Sequence, residues 1–232
     1  MEQIQFDDAA YSVRPLLIED FANLDRWQTA EHWGRWRPGQ QGLVGEWLEV
    51  SPSIFLKEPI AGDYLWQISV TRLPPIADFL ARFGASKHAV GREARTMYNF
   101  NFWLRAADPT GEDFFAAYPK HLKTGWNGMG DDYWNSYFVT VVHNPDGNWM
   151  RLRRGPGYEK IEDVQNVVPF LDYHQPIRFT FALRRGHIRA YFGSKPIFDH
   201  ADANFHPAGH VGLCVWHDTV RFSEMRMYRF VD

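Results

Sequence analysis

Short runs of alternating apolar and polar residues recur along this chain, each about as long as one β-strand. Examples span residues 63–73, 97–106, 133–143 and 176–183. Gly, Pro, Asn or Asp bound each run, and these residues form turns between strands. Turn signals stand at Asn144 to Gly147, at Arg185-Gly186 and at Gly193 to Pro196. This pattern predicts an all-β fold, a two-sheet antiparallel sandwich whose neighbouring strands form hairpins.

A length of 232 residues suits one large β-sandwich, and no Ser/Gly linker or charge block divides the chain. We therefore expect a single domain over residues 1–232. Helical patterns are confined to two short stretches, which begin at Pro74 and Gly111. They are predicted to be insertions between strands.

Charge and hydropathy exclude several classes of protein. The chain has 25 Lys+Arg and 28 Asp+Glu, a net charge of −3, so a strongly basic nucleic-acid binder is excluded. It contains no apolar run of about 18 residues and begins with an acidic segment, so neither a membrane span nor an export signal is expected. These features favour a cytoplasmic protein. The single cysteine, Cys214, has no partner for an internal disulfide.

Familiar catalytic and cofactor motifs are missing from the sequence. It contains no HExxH, His-x-His, EF-hand loop, GxSxG, Walker A or GxGxxG pattern, so no cofactor is expected. Acidic residues near both termini leave a structural calcium ion open. The Glu-x-Asp-x-x-Glu strand, which would present paired carboxylates for glycoside hydrolysis, is also absent.

The run at 97–106 separates into an apolar face and a polar, partly aromatic face. Phe100, Phe102 and Leu104 are predicted to face the core. The opposite face carries Asn99, Asn101, Trp103 and Arg105. Amides and guanidinium groups bond sugar hydroxyls or carboxylates, and an indole stacks on a sugar ring, so this face is a candidate sugar-binding groove. The alternative is a solvated face with one exposed Trp.

Other runs add residues to this candidate groove. Asn135 and Tyr137 on the run at 133–143 are expected to face it, although Tyr137 also suits a half-buried position. Arg153 projects with Trp149 and Arg151 from one face of the run at 148–154. This row is expected either to neutralise an acidic sugar or to pair with Asp or Glu at a solvated edge. Aromatic and histidine side chains on Gly-rich loops are candidate rim residues or core caps: Trp33, Trp36, His88 and Trp126.

The polar residue types suit the eliminative cleavage of a uronate polysaccharide. Arg105 is the candidate group that neutralises the developing negative charge, and Tyr137 the candidate proton carrier, with His217 as its substitute. Arg92, Glu93 and Arg95 weakly resemble the Arg-x-Glu-x-Arg strand of jelly-roll alginate lyases, but the companion motifs are missing. If Tyr137 is not the proton carrier, the alternative is hydrolysis that uses the carboxyl groups of Asp131 and Asp132.

The order of motifs resembles the concanavalin A-like lectin/glucanase superfamily, in its YesU-like branch near the 3-keto-disaccharide hydrolase-like domains. The motifs are EDFANLDRW (19–27), GEWLEV (45–50), LKEPIAGDYLWQISV (56–70), NFNFWLRAADPTG (99–111), MRLRRGPGYEKI (150–161), IRAYFGSKPIFDHAD (188–202) and GHVGLCVWHDTVRFSEMRMYRF (209–230). The resemblance implies a jelly roll whose concave sheet binds carbohydrate.

Three functions follow as hypotheses. The first is a carbohydrate-active protein that binds and cleaves an oligosaccharide or polysaccharide fragment, with a uronate-containing substrate as one option. The second is a carbohydrate-binding protein without catalysis. The third is a structural sandwich that oligomerises through its aromatic surface. The oligomeric state is left open between monomer and homodimer.

Overall fold

The computed structural model describes residues 2–6, 9–29, 34–47, 53–74, 99–121, 133–144, 147–167, 172, 174–216 and 218–231. This part of the chain forms eighteen strands and one helix, α1 (Phe114–His121). The strands are β1 (Glu2–Phe6), β2 (Ala9–Glu19), β3 (Trp27–Thr29), β4 (Gly34–Arg37), β5 (Leu43–Trp47), β6 (Ser53–Leu56), β7 (Ile60–Ala61), β8 (Tyr64–Arg72), β9 (Asn99–Ala107), β10 (Asn135–Asn144), β11 (Gly147–Gly155), β12 (Glu159–Gln165), β13 (Pro176–Arg184), β14 (His187–Phe192), β15 (Lys195–Ala201), β16 (Ala208–Gly209), β17 (Gly212–Trp216) and β18 (Thr219–Phe230).

Two antiparallel sheets make the sandwich. Sheet A has nine strands in the order β1-β2-β18-β8-β13-β14-β15, with β5 paired to β18 and β4 paired to β5. Sheet B has seven strands in the order β12-β11-β10-β9-β17-β6-β3, and β16 pairs with β7 separately. The predicted all-β, two-sheet antiparallel sandwich is confirmed.

Tight hairpins join neighbouring strands where the turn signals predicted them. Arg184 pairs with His187 across the turn at Arg185-Gly186, whose φ angles are 52° and 79°. Both central residues of a type I′ turn have positive φ, and this turn matches the twist of the flanking strands. A second hairpin turns at Gly193 between β14 and β15. Among the described residues, no helix is long and apolar enough to cross a membrane.

The main core lies between the two sheets and is rich in aromatic rings. Trp66 and Phe181 project inward from sheet A, and Phe100 and Phe102 project inward from sheet B. The ring centroids of Phe102 and Phe181 are 4.8 Å apart, and Phe102 meets Trp66 edge to face at 5.5 Å. Such pairs contribute about 0.5–1.5 kcal/mol each beyond the apolar area they bury. Trp66 is therefore a core residue.

A second apolar cluster lies on the outer face of sheet B, beneath α1. It contains Phe55, Trp103, Ala106, Phe114, Ala117, Tyr118, Trp134, Phe138 and Cys214. The side chain of Asp113 accepts the backbone N–H of Ala116 over 2.9 Å and so caps the start of α1. Gly212 leaves room for the ring of Phe55, since a Cβ at Gly212 would lie 2.5 Å from that ring. One end of this outer face is therefore a buried layer.

Candidate functional site

The part of the outer face of sheet B beyond this apolar cluster carries polar and aromatic side chains from five adjacent strands. Phe100 and Phe102 point into the core between the sheets, so Asn99 and Asn101 point outward. Cross-strand pairing continues their positions into two rows: Trp216–Asn99–Val142–Trp149–Gln165 and Cys214–Asn101–Thr140–Arg151–Asp163. We call these two rows, which border the apolar cluster at Cys214, the polar outer face.

The two asparagines form the inner part of the polar outer face. The Nδ2 of Asn101 donates to the Oδ1 of Asn99 over 3.0 Å, and it lies 3.6 Å from the sulfur of Cys214. Both side chains are buried. Within the described residues the Nδ2 of Asn99 has no acceptor. The hydrogen bond from Asn101 occupies the Oδ1 of Asn99 and orients its amide group, so the Nδ2 of Asn99 is the donor without a partner.

An arginine, a tryptophan and a carboxylate form the more exposed part. The guanidinium carbon of Arg151 lies 4.7 Å from the ring centre of Trp149, and its Nε donates to the Oδ1 of Asp163 over 3.0 Å. Lys160 and Gln165 donate to the same carboxylate, over 2.7 Å each. The Nε1 of Trp149 has no acceptor among the described residues. As far as the described residues go, the polar outer face thus holds two unpartnered donors in one row, on Asn99 and Trp149.

The contacts of Asp163 determine the protonation state of its carboxyl group on this face. Partial burial acts to raise the pKa of the Asp163 carboxyl, but the hydrogen bonds from Lys160 and Arg151 outweigh it and lower the pKa below its usual value. Asp163 is therefore ionised at neutral pH and holds Arg151 in place. Among the described residues Arg151 donates through its Nε–H to Asp163, so its terminal N–H groups are available to a ligand.

The prediction that Trp103 lies on an open groove is wrong. Trp103 is 0% exposed and packs 4.5 Å from Phe138 in the cluster beneath α1, with its Nε1 donating to Ser53 over 3.4 Å. It does point to the same side of β9 as Asn99 and Asn101. The helix covers this end of the outer face, so Trp103 is core.

The prediction that Arg105 and Tyr137 share a face with the asparagines is also wrong. Pairing between β9 and β10 shifts at Tyr137/Phe138, so Trp103 faces Phe138 while Arg105 faces Tyr137. One extra residue on β9 turns Arg105 to the other side of the sheet. Tyr137 belongs to the core between the sheets. The two predicted catalytic residues therefore come together with each other and not with the asparagines.

Arg105 and Tyr137 take part in a polar cluster at one end of the sandwich, which we call the end clasp: Arg105, Tyr137, Arg154, Asp202 and His206. The hydroxyl of Tyr137 donates to Asp202 over 2.6 Å, and the Nε of Arg154 lies 2.8 Å from the same oxygen. Arg105 donates to the backbone carbonyls of Gly62 and His206.

Titration behaviour in the end clasp follows from burial. Burial raises the pKa of the Tyr137 hydroxyl above its ordinary value, and the bond to Asp202 raises it further. Burial also lowers the pKa of His206, whose Nε2 lies 3.1 Å from the carbonyl oxygen of Gly155. Tyr137 therefore stays protonated at neutral pH and acts as a hydrogen-bond donor in the clasp.

The remaining predicted residues fall in different places. Asn135 is partly exposed and pairs with Ala107, and alternation puts it on the same side of sheet B as Tyr137. Arg153 points outward between Phe138 and Lys160. Trp36 lies on strand β4 and not on a loop, and it packs against the main core, in agreement with the core-cap alternative. Predicted residues outside the described part of the chain are Trp33, His88, Arg92, Glu93, Arg95, Trp126, Asp131, Asp132 and His217.

The members of the polar outer face that the predicted groove lacked include Thr140, Asp163 and Gln165. Each is placed by cross-strand register, which a single sequence does not reveal. Among the described residues, no group of three or more His, Cys, Asp or Glu side chains could hold a metal ion.

Comparison with known proteins identifies the fold. No protein-family model matches the chain, and no curated protein matches its sequence. A protein of unknown function with a galectin-like fold from Bacillus subtilis superposes with a TM-score of 0.67 at 12% identity, over 95% of this chain and 99% of that one.

Two further solved structures are similar to this chain. One is the carbohydrate-binding module CBM66 from Bacillus subtilis, with a TM-score of 0.57 at 15% identity, over 89% of this chain and 98% of that one. The other is a prokaryotic β-1,3-1,4-glucanase (lichenase) derived from a mouse hindgut metagenome, with a TM-score of 0.54 at 9% identity, over 93% and 99% of the two chains. The chain has the galectin-like, concanavalin A-like jelly-roll fold. Its place in the YesU-like branch stays a prediction.

Proposed function

We propose that this protein binds a carbohydrate on the polar outer face of sheet B. The observation that carries the proposal is the row in which Asn99 and Trp149 each keep a donor without an acceptor in the described residues. A buried donor without a partner destabilises a fold by about 1–3 kcal/mol, so an acceptor brought to this row by a ligand would be favourable. Sugar hydroxyls are such acceptors.

The exposed neighbours of this row supply complementary chemistry. Arg151 presents its terminal N–H groups beside the ring of Trp149, and Asp163 accepts hydrogen bonds. Sugar recognition combines fixed donors and acceptors with an apolar ring surface, because a sugar carries hydroxyls around a ring of C–H groups. A carbohydrate-binding module and a glucanase with the same fold support this assignment.

The polar outer face supports binding better than hydrolysis. Most glycosidases need two carboxyl groups, one of which is protonated and donates to the leaving group. Asp163 is the carboxylate that the described strands β9 to β12 and β17 place on this face. Its lowered pKa keeps it ionised, so it does not provide the acid. We therefore propose a carbohydrate-binding protein. Cleavage of the sugar is tested separately in the experiment below.

A titration with neutral and acidic oligosaccharides tests this proposal, with Arg151→Ala compared with Arg189→Ala. The two arginines are matched: each has a side chain 27% exposed and an Nε bonded to an aspartate, Asp163 or Asp199. Arg189 lies on sheet A. We expect saturable binding to the wild type, at least tenfold weaker binding to Arg151→Ala, and unchanged binding to Arg189→Ala.

Two outcomes would overturn the assignment. If no oligosaccharide binds, or if both arginine variants lose affinity equally, the polar outer face is not the binding site. The same mixtures are assayed for new reducing ends and for the ultraviolet absorbance of an unsaturated product. A positive signal in either assay identifies an enzyme.

A further inference from the structure

Arg153 lies on the outer face of sheet B, one row beyond the polar outer face. It faces Phe138 on β10 and Lys160 on β12. Its guanidinium carbon lies 4.2 Å from the ring centre of Tyr158. Within the described part of the chain its buried Nε has no acceptor, and no carboxylate lies within ion-pair distance of this guanidinium.

The charges around Arg153 are unbalanced. On strands β10 to β12, the described residues that face outward include three cations, Arg151, Arg153 and Lys160, against one carboxylate, Asp163. Asp163 is already held by Arg151 and Lys160. Within the described residues no carboxylate pairs with the partly buried guanidinium of Arg153, whose one face is covered by the ring of Tyr158. An anion from a ligand would supply the missing counter-ion.

The geometry favours a planar anion. The ring of Tyr158 covers one face of the Arg153 guanidinium, so the N–H donors lie in the plane at its edge. A carboxylate accepts two parallel hydrogen bonds from such an edge. Arg153 is two positions along β11 from Arg151, a distance of about 7 Å at the rise of a strand, so one bound oligosaccharide reaches both arginines.

We propose that Arg153 forms a carboxylate subsite, and that the carbohydrate bound on this sheet contains a uronic acid. This inference rests on the proposed function and adds the chemical class of the sugar. Lys160, which is 48% exposed and paired with Asp163, lies beside Arg153 on the next strand and adds positive charge to this part of the face.

The test compares each uronate oligosaccharide with the same oligosaccharide after its carboxyl groups have been reduced to primary alcohols. Tetrasaccharides of galacturonate, glucuronate, mannuronate and guluronate are the probes. We expect the wild type to bind one acidic tetrasaccharide at least tenfold more tightly than its reduced form. Arg153→Gln should lose this preference while its affinity for the reduced form stays within twofold.

Two further variants separate charge from geometry. Arg153→Lys keeps the charge but not the planar fork, and should retain only part of the preference. Arg189→Gln on sheet A should bind both forms as the wild type does. Thermal unfolding of each variant establishes that it is folded. A higher salt concentration should weaken binding of the acidic tetrasaccharide more than binding of its reduced form.

Failure of this inference is distinguishable from failure of the proposed function. Equal affinity for acidic and reduced forms, or an acid preference that survives Arg153→Gln, would overturn the subsite and leave carbohydrate binding in place. Tighter binding of sulfated oligosaccharides than of any uronate would also overturn it. Binding of neither form would overturn the proposed function and the subsite together.

Discussion

The hydroxyl of Tyr137 on β10 and the carboxylate of Asp202, just after β15, are joined by a hydrogen bond of 2.6 Å. β10 belongs to sheet B and β15 to sheet A, so this bond ties the two sheets together at one end of the sandwich. Arg154 holds the same carboxylate from β11, and the backbone N–H of His206 donates to the Tyr137 hydroxyl over 3.2 Å. The end clasp therefore fixes the segment after β15 against sheet B.

Tyr137→Phe is expected to lower stability and to leave carbohydrate affinity unchanged. The variant removes one buried donor from Asp202, which should reduce the free energy of unfolding by about 1–3 kcal/mol. Urea unfolding measures the first quantity and calorimetric titration the second. Loss of a catalytic activity at unchanged stability would instead support Tyr137 as a proton carrier.

Trp103→Ala is expected to destabilise the protein severely. A fully buried indole between Phe138 and Phe55 leaves a large cavity when it is truncated, and such changes cost about 3–5 kcal/mol. Thermal unfolding of the variant measures this loss. Trp103→Phe is the control, since it keeps an aromatic ring at this position and should lose less. Weakened sugar binding with unchanged stability would contradict this placement.

Alternation along the strands predicted the sandwich and its inner core correctly, because the period of two is fixed by the β-strand itself. Phe100, Phe102 and Trp66 lie in the core as that period requires. The same rule predicted an open face for Trp103. That prediction failed because α1 covers the sheet there, and the way a helix packs depends on contacts distant in sequence.

The candidate site shows the second limit of a single sequence. Strict alternation placed Arg105 with Asn101, but one extra residue between paired positions reverses the side of every residue after it. No residue type in this segment marks that irregularity. Asn99 and Asn101 precede it, so their side chains point outward from the sheet as alternation predicts, but both are buried. Their role in binding a sugar stays a prediction.

Asp108 is expected to make stability depend on acidity. Its Oδ1 accepts the backbone N–H groups of Thr110 and Glu112 over 2.7 and 3.2 Å, and its Oδ2 accepts the hydroxyl of Tyr133 over 2.9 Å. Burial opposes ionisation, but the hydrogen bonds led by those from Thr110 outweigh it and lower the pKa of Asp108 to about 2.

The sign of the pH effect follows from this lowered pKa. The folded chain holds the Asp108 proton less tightly than the unfolded chain, whose pKa is about 3.9. The stabilisation is therefore complete above about pH 4 and is lost as the pH falls toward 2. Urea unfolding at neutral and acidic pH should show a smaller pH effect for Asp108→Asn than for the wild type. An equal effect in both proteins would contradict the role of Asp108.

Trp149→Phe tests whether the unpartnered indole donor serves a ligand. The change keeps an aromatic ring beside Arg151 and removes the Nε1–H, which has no acceptor in the described residues. Affinity for the bound oligosaccharide should fall about fivefold, the equivalent of one hydrogen bond of about 1 kcal/mol. Trp36→Phe is the matched control, because the Nε1 of Trp36 is also buried and has no acceptor in the described part of the chain, but Trp36 lies on sheet A. The two variants should change the free energy of unfolding by similar amounts, since each loses the same group, and only Trp149→Phe should bind more weakly. Equal affinities for the two variants would mean that the donor of Trp149 does not contact the sugar.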